Sequence, residues 1–239
     1  SGTAVLSVEE SDLGTGSTPT GVDETATSTD LSFKSGSDAI ALSFAASQSP
    51  SVVGLENLAT LTWVLDPADP SGRTLLGQIG NVSVIKLTLT GDVTATGGGD
   101  VATPTVTAVL LDNFPHENAP DFDSLTITGL VVNATDTDGE ITTGTVNVTV
   151  VDDQPDIEIV AAVPDGSPVT DSVAEGGTLN GSWTLNDGAD DVASIKVSVT
   201  GQPDQFVTLP GGTSAVFQLT AGTLTVNANG SWSFAANIN

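Results

Sequence analysis

The chain of 239 residues carries 30 acidic against four basic side chains, a formal net charge of −26, so it repels nucleic acid and anionic membrane surfaces. It has no cysteine, which excludes disulfides and thiolate metal sites. Apolar residues make up 38% of it and fall in short runs, which separates it from acidic disordered tails, and no run approaches the ~20 apolar residues of a membrane helix.

Methionine is absent even at position 1. This predicts a piece excised from a longer protein, with Ser1-Gly2 appended and any export signal lying elsewhere. Val, Thr, Ile and Leu alternate with polar residues in runs broken by Gly, Asp, Asn and Pro, a period of two that predicts an all-β chain. In the first part the spacing predicts strands at 4–8, 39–46, 59–65, 82–90, 105–111, 125–134 and 143–151, enough for a β-sandwich. Glu9, Glu10 and Asp12 follow the first strand and are expected to serve a preceding domain. Residues 94–100, Thr-Ala-Thr-Gly-Gly-Gly-Asp, are expected to form a flexible loop.

At "VTVVDDQPDIEIV", residues 148–160, Pro155 lacks a backbone donor and drives Gln154 out of the helical region, so the chain leaves one strand and starts another. This joint predicts two domains, 1–153 and 154–239. The second repeats the β pattern at 157–162, 181–185, 192–200, 214–219, 223–226 and 231–234. Asn229-Gly230 marks a tight hairpin turn, and Trp232 and Phe234 share a face expected to be core. A weak echo aligns the stretch from Ser28 with that from Asn180. No counterpart of "DTDGEITTGTVNVTVVDDQP" then follows, so the second domain reads as incomplete or shortened.

The richest constellation is "NATDTDGEITTGTVNVTVVDDQPD". Asp136 and Asp138 are two apart, so in extended chain they share a side; Gly139 permits a turn and Glu140 follows. Ca²⁺ takes roughly six to eight oxygens, and short aspartates on a turn supply them. Asp152, Asp153 and Asp156 at the joint, Asp187, Asp190 and Asp191 in "NDGADD", and Glu175 in "VAEGGT" complete the candidate ligands; the competing account is ordinary turn chemistry, at which aspartate excels. No EF-hand is present. His116 is the sole histidine, "GGGD" lacks the Lys-Ser/Thr of a phosphate loop, and no nucleophile elbow exists, so catalysis is not expected and His116 reads as a loop residue.

"DTDG" with "VTVVDDQP", then "SVAEGGTLNG", "NDGADD" and "GTLTVNANGSWSFAAN", resembles the tandem Ig-like and cadherin-like repeats of giant bacterial adhesins of the repeats-in-toxin class. The resemblance implies extender β-sandwiches on the surface of a Gram-negative bacterium, exported by type I secretion and serving adhesion and biofilm formation. It implies calcium ligands at Asp136, Asp138, Asp152, Asp153 and Asp156, a monomeric chain, and neighbouring repeats as partners. The alternative is a calcium-dependent sugar- or peptide-binding module, formed by the loops at 91–104 and 112–123. The family's nonapeptide calcium repeats are absent from this chain, and residues 55–116 match no motif.

Overall fold

The computed structural model describes residues 2–19, 24–56, 58–117, 124–160, 172–189 and 192–238. These residues are essentially all β, with no α-helix among them. The chain divides into two compact units, Ser1–Gln154 and Pro155–Asn239, one residue from the boundary expected at the proline.

Unit 1 contains β1 (Thr3–Glu9), a 3-10 turn (Glu10–Asp12), β2 (Thr25–Ser28), β3 (Phe33–Lys34), β4 (Ile40–Phe44), β5 (Ser51–Val53) and β6 (Leu61–Leu65). It continues through β7 (Thr74–Ile79), β8 (Val82–Gly91), β9 (Thr94–Ala95), β10 (Val101–Ala102), β11 (Pro104–Leu110), β12 (Ser124–Asp136) and β13 (Ile141–Val151). One sheet runs β1-β13-β12-β4-β9, with β5 also on β12; a second runs β2-β11-β8-β7-β6, and β3 pairs with β10 as a separate two-stranded ladder. Strict alternation builds the core. In β13 Val146, Val148 and Val150 are buried while Thr145, Asn147 and Thr149 are not, and β11 buries Val106, Ala108 and Leu110 in the same way. Each fully buried Val or Leu contributes about 1.5–3 kcal/mol relative to exposure.

Most ladders are antiparallel, but β1 lies parallel to β13, in register from Thr3↔Thr145 to Glu9↔Val151. The N-terminal strand therefore starts near the β12–β13 hairpin tip and ends beside the residues where the chain leaves unit 1.

Three expectations need correction in unit 1. Strand β7 was not foreseen, because Gly77 interrupts it; a Cβ there would sit 2.7 Å from Ile85 Cγ2 and 3.0 Å from the Trp63 ring, so the glycine makes room for an aromatic neighbour. The short strands β2, β3, β5, β9 and β10 were also missed. Residues 94–100 are tied rather than loose: β9 pairs with β4, the backbone N–H and hydroxyl of Thr96 both donate to Asp100 Oδ2 at 3.0 Å, and these bonds hold the Asp100 carboxyl below the usual carboxylate range.

Unit 2 contains β14 (Asp156–Val160), β15 (Thr178–Asn186), β16 (Ser194–Val197), β17 (Gln205–Thr208), β18 (Ala215–Leu219), β19 (Gly222–Val226) and β20 (Ser231–Ala236). Its sheets run β14-β15-β20-β19-β18 and β16-β17. Strand β17 was missed, and the stretch expected at 192–200 shortens to β16. The hairpin at Asn229-Gly230 exists, but only Gly230 has a positive φ (81°), and Asn227 N–H closes the turn on the Ser231 carbonyl; glycine alone takes the left-handed position. Trp232 and Phe234 are half-buried rather than core. The buried apolar side chains described here are Trp183, Val207, Ala215 and Phe217, and beside them a hollow of about 460 Å³ is lined by Ile157, Ile159, Trp183, Ile195 and Trp232.

Candidate metal centres

Among the described residues of unit 1 two groups of acidic and histidine side chains come together, one towards each end of β13. At one end, the β12–β13 turn is closed by Asp136 N–H to the Glu140 carbonyl (3.0 Å), while Asp136 Oδ1 accepts the Glu140 N–H at 2.7 Å. Gly139, with φ 92°, allows the reversal. The pairing Ile40↔Asp136 carries the segment ahead of β4 to the same place, so that Asp38, Asp136 and Asp138 bring carboxylate oxygens within 4.8 Å of one another. Asp136 is half-buried and the other two are exposed. The Asp138 carboxyl is raised above the usual range, because it shares a hydrogen bond and like charge with Asp136 and feels Asp38 as well. A carboxyl raised by a like-charged neighbour marks repulsion that a bound cation would relieve. Three short carboxylates beside turn carbonyls are the oxygen donors a hard cation such as Ca²⁺ takes, and Asp38, Asp136 and Asp138 are the side chains that would hold one here. Glu140 lies exposed beside this cluster without belonging to it.

At the other end, the parallel pairing sets the segment after β1 beside the residues following β13. Glu10 is wholly buried, and its Oε1 accepts the Phe114 N–H at 2.7 Å. His116 Nε2 stands 3.2 Å from Glu10 Oε1 and 3.9 Å from Asp152 Oδ1. A backbone bridge Leu55↔His116 and the Glu117 N–H to the Gly54 carbonyl (2.8 Å) hold the histidine in place. Nearby, burial and the Asp12 carboxyl raise the Glu24 carboxyl above its ordinary value, with Glu9 adding to the effect.

Asp153 is 6% exposed and is already committed within unit 1: Ser17 donates its backbone N–H to Oδ2 at 2.6 Å and its hydroxyl to Oδ1. Both carboxylate oxygens are thus engaged by one serine, which makes Asp153 a clamp on the segment after the 3-10 turn.

The implied ligand set of Asp136, Asp138, Asp152, Asp153 and Asp156 is therefore not one site. The ten steps along β13 from Ile141 to Val151, at about 3.4 Å each, place roughly 34 Å between the hairpin tip and the joint. Asp156 opens β14 in unit 2, paired with Asn186 across the ladder. Glu175, in the turn before β15, and Asp187, just after it, are exposed and join neither cluster. Asp190 and Asp191 lie outside the described residues. Sequence reasoning missed Asp38, assigned Glu10 elsewhere and treated His116 as a loop residue. The only signal that reaches them is strand pairing between segments roughly 100 residues apart.

Among the described residues no helix is long and apolar enough to cross a membrane. No protein-family model matches the chain, and no curated protein matches it.

Proposed function

We propose that the chain is a non-catalytic structural stretch of a bacterial surface adhesin: tandem Ig-like β-sandwich extenders, stiffened by calcium, that project a distant binding region from a Gram-negative cell exported by the type I route. The observation that carries this reading is the placement of acidic groups at both ends of the unit 1 sheets, with the apolar core between them. Thr3 lies opposite Thr145, four residues along β13 from Ile141, so a module joined ahead of it would start on the hairpin-tip side of unit 1, where calcium held by Asp38, Asp136 and Asp138 would turn mutual repulsion into a bridge. The joint itself is a poorer place for calcium than its sequence suggests, because Asp153 is taken by Ser17 and Asp152 faces His116.

Extracellular calcium modules bind at roughly 0.1–1 mM. A site of ~0.1 mM at about 10 mM calcium contributes roughly 2.7 kcal/mol, a large share of a typical domain stability of about 5–15 kcal/mol. The test is calcium titration followed by thermal melting and solution scattering of the chain and of Asp136→Asn/Asp138→Asn. Calcium is expected to raise the melting temperature of the parent and to lose that effect in the double variant. An equal calcium response in both defeats the assignment.

One observation favours the second reading, a calcium-dependent sugar- or peptide-binding module. A hollow of about 350 Å³ beside Asp136 is lined by Ile40, Thr94, Thr96 and Thr135, so an ion at the tip could share a ligand held there. A reproducible hit on a glycan array that is lost with chelator, and in Asp136→Asn/Asp138→Asn, selects this reading over the purely structural one.

A further inference from the structure

We propose that Glu10, His116 and Asp152 form a binding site for a divalent transition metal of the zinc class, chemically distinct from the calcium cluster at the hairpin tip. Three segments remote in sequence deliver one ligand atom each, and these atoms lie within 4.8 Å of one another. Zinc binds nitrogen and oxygen at about 2.0–2.2 Å, which puts tetrahedral ligand atoms about 3.4 Å apart. The observed 3.2 Å and 3.9 Å need only a small rotation of the Asp152 side chain, the most accessible of the three at 23% exposure. That partial exposure also gives the ion a path in and water a fourth position. Around these atoms the surroundings are fixed: the Phe114 N–H orients the Glu10 carboxylate, the Leu55↔His116 bridge sets the imidazole, and the register Glu9↔Val151 brings Asp152 alongside.

The donor set chooses the metal. Calcium is a hard ion that takes six to eight oxygens, whereas imidazole suits zinc and its neighbours, and two carboxylates with one neutral imidazole make an electroneutral zinc site. Glu9 and Asp12 flank Glu10 in sequence and both raise the Glu24 carboxyl, so the segment that supplies Glu10 adds negative charge, which favours holding a cation. The rival account is a protonated His116 acting as counter-ion to Glu10 and Asp152. The two accounts separate cleanly because the chain has a single histidine and no cysteine. This inference stands apart from the extender reading and from calcium at the tip.

The experiment uses the full chain without a histidine tag. Cobalt(II) is expected to bind one to one with the visible bands of a four-coordinate N/O site, to be displaced by zinc and to resist displacement by calcium. In nitrogen-15 NMR, zinc should shift the Nε2 resonance of the lone imidazole. His116→Asn should abolish the bands, and Asp152→Asn, at the half-exposed ligand, should weaken binding by about 10- to 100-fold or more. Circular dichroism checks that each variant is folded. An imidazole that only titrates with pH and ignores zinc overturns the proposal, as does cobalt binding that survives in folded His116→Asn or yields to calcium at equal concentration.

Discussion

Replacing Asp153 with alanine distinguishes a clamp from a calcium ligand. The carboxylate is 6% exposed and receives both the backbone N–H and the hydroxyl of Ser17. A hydrogen bond to a charged group is worth about 1.5–3 kcal/mol, so two give about 3–6 kcal/mol before discount. Ser17 is half-buried and water can replace part of what is lost, which leaves about 2–3 kcal/mol. A unit of this size shifts its melting temperature by about 2–4 °C per kcal/mol, so Asp153→Ala should lower the unit 1 transition by about 4–12 °C. Calorimetry of the full chain in chelator reads this directly. The calcium-induced gain should persist in the variant, and Asp153→Ala with Ser17→Ala should fall short of the sum of the single effects, because each loses the same hydroxyl bond. A variant that melts normally in chelator but no longer responds to calcium would refute the clamp and return Asp153 to the ligands.

Three other expectations follow from particular side chains. Because the folded-state value of Asp138 lies above its unfolded one, the folded protein holds that proton longer; stability from this group is present at low pH and is lost as pH rises through the raised value. Chelated protein should therefore lose unit 1 stability as pH climbs past the ordinary aspartate range of about 3.9, Asp138→Asn should flatten that loss, and a pH series of denaturant melts measures both. Unit 2, with Trp183, Val207, Ala215 and Phe217 as its described buried apolar residues, should open before unit 1, seen as faster amide exchange in β14–β20 than in β8, β11 and β13. Gly181→Ala should destabilise unit 2 by about 1–3 kcal/mol, since the new Cβ would lie 2.3–2.4 Å from the Trp232 indole that covers this glycine, and tryptophan fluorescence during urea unfolding reports the change.

Local pattern made the long strands legible and left the rest hidden. β12 and β13 alternate over many residues, and β-branched side chains dominate them, so periodicity alone locates both. Strand β7 fails the same test because Gly77 carries no pattern of its own; its reason for being glycine is the Trp63 ring on the neighbouring strand. Strands of two or three residues have no period to detect. At the hairpin tip, Asp136 and Asp138 are visible as neighbours, but Asp38 reaches them through the β4–β12 ladder. The Glu10, His116 and Asp152 cluster is hidden more deeply, since it exists only once β1 is known to run parallel to β13. Acidic runs that lie close together in sequence form one constellation on paper, whereas strand length separates the tip from the joint.

The same parallel pairing bears on a load-carrying role. In unit 1 the chain comes in through β1 near the hairpin tip and goes out from β13 at the opposite end, at Gln154. Tension applied at those two points draws β1 and β13 past each other along their length. The register from Thr3↔Thr145 to Glu9↔Val151 then loads its hydrogen bonds together, in shear, instead of breaking them one after another as an antiparallel hairpin pulled from its open end would. The Thr145 N–H donates to the Gly2 carbonyl, so in this parallel register Ala4, Leu6 and Val8 are the β1 residues that donate to β13, and a proline at Leu6 would remove the central one of those bonds. Single-molecule stretching should show a lower rupture force for Leu6→Pro than for the parent, and the drop should be larger than that caused by an equally destabilising substitution in the second sheet, such as Leu75→Ala. Equal drops would mean that unit 1 resists force through its core as a whole and not through the β1–β13 ladder.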